Sequence, residues 1–270
     1  MNPILDLSDR LSVLPILHAN GDFALEVRRH LTVLQPDCIA LPLPPSFAEP
    51  VEEGVEALPH ISVAIQREIT LEGAYNYVPI DPCQGVIAAV RTGMDMGIDR
   101  AYIDLEVASY EESELLLPDP YALKEVPLER FVAAMVPALT APLDGSQRLA
   151  RIRRMAYELH LLELEYERVV LVCSVADWPW IRQAFADRAD YAQHERSITL
   201  PVCRPVAADC LYFALGELPH ITHQYEHRRA EMVADETLSI DGIKALLIDA
   251  RDLWLVESEQ GTDRRMGPQQ

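Results

Sequence analysis

His18, Asp81, Asp104, Glu106 and Asp177 each stand just past the end of a short apolar run. Neutral imidazole and carboxylates gathered at one sheet edge can hold a divalent metal or move protons in hydrolysis, because together they activate water. His18 and Asp177 are therefore candidate metal ligands. His18, Asp104, Glu106 and Asp177 are candidate catalytic groups. Acids at strand ends also cap helices, a role that Asp fills often, so position alone leaves both uses open.

The runs that would position these groups alternate with helical patterns. Ser12 to Leu17 reads as a strand, Asp22 to Leu34 as a helix with Phe23, Val27, Leu31 and Leu34 at helical spacing, and Cys38 to Leu43 as the next strand. Further strands are expected at Ile61 to Gln66, Tyr75 to Ile80 and Ala101 to Leu105, with helices at Ser46 to Ala57 and Gly85 to Met96, the latter closed by Gly97. A long helix is expected from Gln147 to Glu167, then the strongest strand pattern at Arg168 to Val175, then a helix from Trp178 to Arg188. Cys210 to Leu215 is strand-like, and helices starting at Pro219 and near Ile243 form a C-terminal pair. Uninterrupted apolar strands suit a sheet covered on both faces. The expected fold is therefore a three-layer α/β domain over residues 1–256, with a mostly parallel central sheet and helices on both faces. Residues 257–270, polar and with Gly261, Gly267 and Pro268, read as a flexible tail or truncated linker. Glu111 to Val126 reads as a surface excursion that could act as a lid.

Other chemistry-bearing residues argue less strongly. His220, His223 and His227 share one helical sector, but Ile221, Tyr225 and Met232 define an apolar sector well away from it, so the histidines are expected on the wet face. Cys38, Cys83, Cys173, Cys203 and Cys210 include no CxxC pair and suit reduced thiols, with Cys173 in a buried strand. No GxSxG, GxxxxGK[ST], GxGxxG or HExxH pattern occurs.

Composition narrows the classes. Lys plus Arg number 23 against 43 Asp plus Glu, a formal charge of −20, which repels a phosphate backbone and excludes nucleic acid as a partner. With 49% hydrophobic residues the chain can bury a core, yet its longest strongly apolar run, Val169 to Ala176, is far short of the ~20 residues that span a bilayer. The acidic N-terminus does not resemble a secretory signal, and a cytoplasmic location is expected.

Several segments, in order, resemble one superfamily. VLPILHANGDFALEVRRHLTVLQPDCIALPLPPS resembles the opening of the TraB/Tiki, ChaN-like and erythromycin-esterase-like proteins, in which a strand ends in G-x-x-H and the next strand ends in an acid. RAYIDLE is similar to the I-D-L strand of an uncharacterised bacterial branch found beside MoxR-type ATPases and von Willebrand factor A proteins. RIRRMA looks like that branch's R-[DEN]-x-x-M-A helix, VVLVCSVADWPWI like its late V-x-C-G-x-x-H-x-P strand, and GELPHITHQYEHRR like a downstream helix. The resemblance covers most of residues 12–255 and adds Arg151 to the candidate catalytic set. Departures accompany it: Pro15 replaces the motif glycine, Pro42 the acid, Ile152 the acid after Arg151, Ser174 the late glycine and Asp177 the second histidine. Losing an imidazole and a carboxylate removes much of a metal's coordination sphere.

The resemblance and its departures together imply a degenerate hydrolase-like domain that binds a partner or ligand in a bacterial multi-protein system. An ATPase-associated protein partner is expected, with the acidic surface and the Glu111 to Val126 excursion as contact regions. A metal-assisted esterase or peptidase built on His18 and the strand-end acids is the alternative. A haem or small-molecule carrier with His18 as axial ligand is the second.

Overall fold

The computed structural model describes residues 5–111, 126–230 and 242–259. The expected excursion therefore lies outside the described residues except at its two ends, as does the tail beyond Glu259.

Four strands, β1 (Leu11–Ile16), β2 (Cys38–Leu41), β5 (Asp99–Tyr102) and β6 (Val169–Ser174), form an all-parallel sheet in the order β1-β6-β2-β5. All six residues of β6 are buried between β1 and β2, as its unbroken apolar run requires. β1 is an edge strand, where Pro15 forfeits no ladder bond that the core needs. β5 ends earlier than its apolar run, but the chain stays beside β2: Ile103 N–H donates to Leu41 O at 3.1 Å and Asp104 N–H to Leu43 O at 3.0 Å.

Helices α1 (Gly21–Leu34) and α3 (Gly85–Met96) pack on each other on one side of the sheet. On the other, α5 (Gln147–Glu165) packs on α6 (Trp178–Asp187). The architecture is the expected three-layer α/β fold. Local chemistry sets the boundaries. Asn20 caps α1 by accepting from Phe23 N–H at 3.3 Å, Ser146 caps α5 by accepting from Leu149 N–H at 3.3 Å, and Gly97 at φ 66° ends α3. α2 (Ala48–Glu56) follows a 3-10 turn at Pro45–Phe47, and α4 (Leu128–Met135) contributes Leu128, Phe131, Val132 and Met135 to the core.

Three expectations need correction. Strands β3 (Ser62–Arg67) and β4 (Tyr75–Ile80) do not join the parallel sheet; with the unanticipated β7 (Val202–Pro205) they form a second, antiparallel sheet in the order β4-β3-β7. The segment Cys210 to Leu215 is not a strand but a 3-10 turn leading into α7 (Leu211–Ala214), which leaves Tyr212 and Phe213 exposed. The last helix runs through Glu259, past the expected boundary at 256.

Ala64 and Ile80 join the second sheet to the main core. α2 lies so close to it that a Cβ at Gly54 would sit 2.6 Å from Ser62 Oγ. The C-terminal pair is α8 (Pro219–Ala230) and α9 (Gly242–Glu259), joined by Gln224 and His220 on Asp249. α8 is held on α3 by Arg91–Glu226 and Arg229–Asp95, each at 2.6 Å. No described helix is long and apolar enough to cross a membrane.

Candidate functional site

Parallel strands release their carboxyl ends at one edge, where α/β sheets hold their ligands. A cavity of about 550 Å³ opens there, and His18, Asp104, Glu106, Arg151 and Asp177 all line it. The second sheet closes the opposite wall with Gln66 and the β4 residues Tyr75 to Pro79.

Asp104 is 1% exposed, and Arg151 grips it with Nε 3.1 and 3.0 Å from Oδ1 and Oδ2 and with Nη2 on Oδ2. Leu105 N–H also donates to Oδ1 at 2.7 Å. Arg151 Nη1 donates to Tyr110 OH at 2.9 Å, and its guanidinium lies 4.7 Å over the Tyr110 ring. Burial by itself lowers the Arg151 pKa, but Asp104, Tyr110 and Asp177 outweigh it and the net shift is upward. This arginine is permanently charged and fixed.

Asp177 forms a second pair. It sits at the N-cap position of α6 but makes no side-chain capping bond; its Oδ1 instead accepts from Arg148 Nε at 2.8 Å, while Arg148 Nη2 donates to Ala176 O at 2.8 Å. Glu106, 7% exposed, is held differently: Ser46 donates its N–H at 2.6 Å and its hydroxyl at 2.9 Å to the two carboxylate oxygens. The Glu106 N–H donates to His194 Nδ1 at 3.1 Å, which leaves that ring neutral with its proton on Nε2.

His18 lies two residues beyond β1, open to the cavity but with protein packed around it, and its nitrogens have no hydrogen-bond partner among the described residues. Desolvation lowers its pKa below 6.5, opposed by Asp177 and reinforced by Arg151, so the ring is mainly neutral at pH 7. The loop that carries it is tightly set. Ala19 adopts φ 60°, its N–H donates to Gln84 Oε1 at 2.9 Å, and Gly216 abuts it so closely that a Cβ there would lie 2.3 Å from Ala19 Cβ.

Asp81 is not in the cavity. It follows β4 of the antiparallel sheet, is fully buried, and accepts from Cys83 N–H and Gly216 N–H at 2.9 Å each. Burial raises its pKa. It reaches the site indirectly, through Gly216, which props the His18 loop, and through its carbonyl, which accepts from Gln84 N–H at 2.9 Å.

No family model, curated protein or solved structure matches the chain.

Among the described residues no group of three or more His, Cys, Asp and Glu is placed to hold a metal ion. His18 and Asp177 thus lack a third ligand, and two of the cavity's three carboxylates are already spent on arginines, so the residues do not fit a metal centre. Cys173 and Ser174 line the cavity wall, but burial raises the Cys173 pKa well above its usual value and keeps it a thiol. Pro42 faces the cavity where the superfamily resemblance would place an acid, whereas Ile152 is fully buried in the core.

Arg148 and the aromatic wall of Tyr75, Tyr77 and Tyr110 were not anticipated as site residues. Arg148, Arg151 and Met155 recur at i, i+3 and i+7 and all line the cavity, a periodic signal that was present in the helix pattern. On α8, His223 and His227 are exposed, as expected, whereas His220 is half-buried and pairs with Asp249 of α9 at 3.1 Å; Met232 lies outside the described residues.

Proposed function

We propose that the chain is a degenerate hydrolase-like domain that works as a ligand-binding module, taking a small molecule into the cavity at the carboxyl edge of the parallel sheet. The observation that carries this reading is the commitment of the cavity's acids. Asp104 and Asp177 are neutralised by Arg151 and Arg148, Glu106 is held by Ser46, and among the described residues no three-ligand metal set accompanies them. Such groups orient a ligand by hydrogen bonds but do not cycle protons readily. A volume of about 550 Å³ with mixed polar and apolar walls is the size and character of a small-molecule site. A protein partner, ATPase-associated as the resemblance implies, would receive the liganded domain in the cytoplasm.

The His18 ring favours a second reading, metal-independent hydrolysis. Its free nitrogens and lowered pKa equip it to take a proton from water at pH 7. The test compares wild type with His18→Ala and Asp177→Ala in an esterase and peptidase screen, with chelator or with added Zn²⁺, Mn²⁺ and Fe²⁺. The ligand-binding reading expects no turnover under any condition. Turnover in chelator that His18→Ala abolishes would replace it with the second reading, and turnover that depends on metal would restore the metal-assisted hydrolase.

A further inference from the structure

Charge is unevenly distributed around the cavity. Among the described residues three carboxylates and two guanidiniums line it, and His18 adds no charge when neutral, so one negative charge is left over. Geometry assigns that charge to Glu106. Asp104 and Asp177 each contact an arginine, whereas among the described residues Glu106 has no cationic side chain within salt-bridge distance. Its two donors, both from Ser46, carry no formal charge. Each carboxylate oxygen accepts one of them and keeps a second lone pair. A carboxylate only 7% exposed and without a counter-ion is costly unless something charged comes to it.

The second sheet adds aromatic lining at its edge strand. Tyr75 and Tyr77 alternate with Asn76 along β4, so their rings leave the more open face of the strand, opposite Asn76, Val78 and buried Ile80; both line the cavity and are 53% and 56% exposed. Among the described residues neither ring is engaged by an arginine, unlike Tyr110, which already covers Arg151. The molecule's charge of −20 adds a field that gathers cations and disfavours anions.

We infer that the cavity takes an organic ammonium ion, its charged nitrogen on Glu106 and its apolar body against Tyr75 and Tyr77; the inference rests on the ligand-binding reading above. The two can fail separately. The test titrates the full chain, observed by amide NMR, with three probes of one shape and different charge: benzylamine, benzyl alcohol and benzoate. Benzylamine is expected to shift resonances of residues 75–79 and 104–107, to bind at least about tenfold more tightly than benzyl alcohol, as a charge-assisted hydrogen bond should, and to weaken with added salt. Benzoate is expected not to bind. Glu106→Gln, which keeps an acceptor for Ser46, should reduce benzylamine affinity to that of benzyl alcohol. Should that variant fail to fold, Tyr77→Ala at an exposed position should also weaken benzylamine, and the wild-type charge series decides by itself. Equal binding of benzylamine and benzyl alcohol, preferential binding of benzoate, or an unchanged benzylamine affinity in folded Glu106→Gln would overturn the ammonium assignment while leaving a ligand site. Silence at these resonances with all three probes would overturn the ligand-binding reading and this inference with it.

Discussion

Replacing Arg151 by Met tests whether the cavity floor is a structural ion pair. The substitution keeps most of the aliphatic stem and leaves Asp104, 1% exposed, without its counter-ion. At the observed 3.0 Å separation of Nε and Oδ2, two unit charges attract by about 5–6 kcal/mol at an effective dielectric constant near 20. Part of that survives, because Leu105 N–H still donates to Oδ1 and water reaches the cavity side. The expected loss is therefore about 3–5 kcal/mol, the usual cost of orphaning one member of a buried pair. Urea unfolding at pH 7.5 reads it as a lower midpoint with an unchanged slope. Adding Asp104→Asn to Arg151→Met removes the stranded charge while keeping an acceptor for Leu105, and should recover at least about 1.5 kcal/mol relative to Arg151→Met alone. A single-variant cost below about 1 kcal/mol would mean that the pair behaves as a solvated surface bridge. That result, or a double variant no more stable than Arg151→Met, would refute the reasoning.

Acid should destabilise the protein through His18. Its folded pKa lies below the unfolded 6.5, so the unfolded state binds more protons as pH falls through that window and stability is lost; the difference in urea midpoint between pH 7.5 and 5.5 should shrink in His18→Gln. Gly216→Ala must displace the Ala19 backbone, 2.5 Å from the added Cβ. An overpacking cost of about 1–3 kcal/mol should lower the melting temperature by about 2–5 °C and shift the His18 ring resonances; an unchanged melting curve would show that the loop gives way freely. Thiol titration should find Cys210 reactive in the native protein, while buried Cys83, Cys173 and Cys38, the last pushed up to about 12 by burial, react only after unfolding. Prompt reaction of Cys173 would show that the cavity wall opens.

How much of this was legible in the sequence follows from the range of each interaction. The parallel sheet announced itself because its strands are short, continuous apolar runs between amphipathic helices, and such strands must end at one edge. That logic alone places His18, Asp104 and Asp177 at one edge of the sheet. It misplaced Asp81, because Tyr75–Ile80 pairs back on Ser62–Arg67 as a hairpin, and which sheet a strand joins depends on its partner. Gly73 at φ 80°, between those strands, was the local sign of that turn. The run CLYFAL is too short for periodicity to separate strand from helix, and β7, with Pro205 at its end, is too short to stand out. Least legible was the state of the acids. Arg148 meets Asp177 across 29 residues and Arg151 meets Asp104 across 47, separations that no spacing rule reaches. Yet both cations leave one face of α5, three residues apart, and answer acids from two different strands. A single helix docking therefore neutralises both carboxylates at once. Glu106 lies two residues beyond Asp104, held by the turn ahead of α2 rather than by α5, so the same docking that silences the other acids leaves it as the one uncompensated charge among the cavity's described residues.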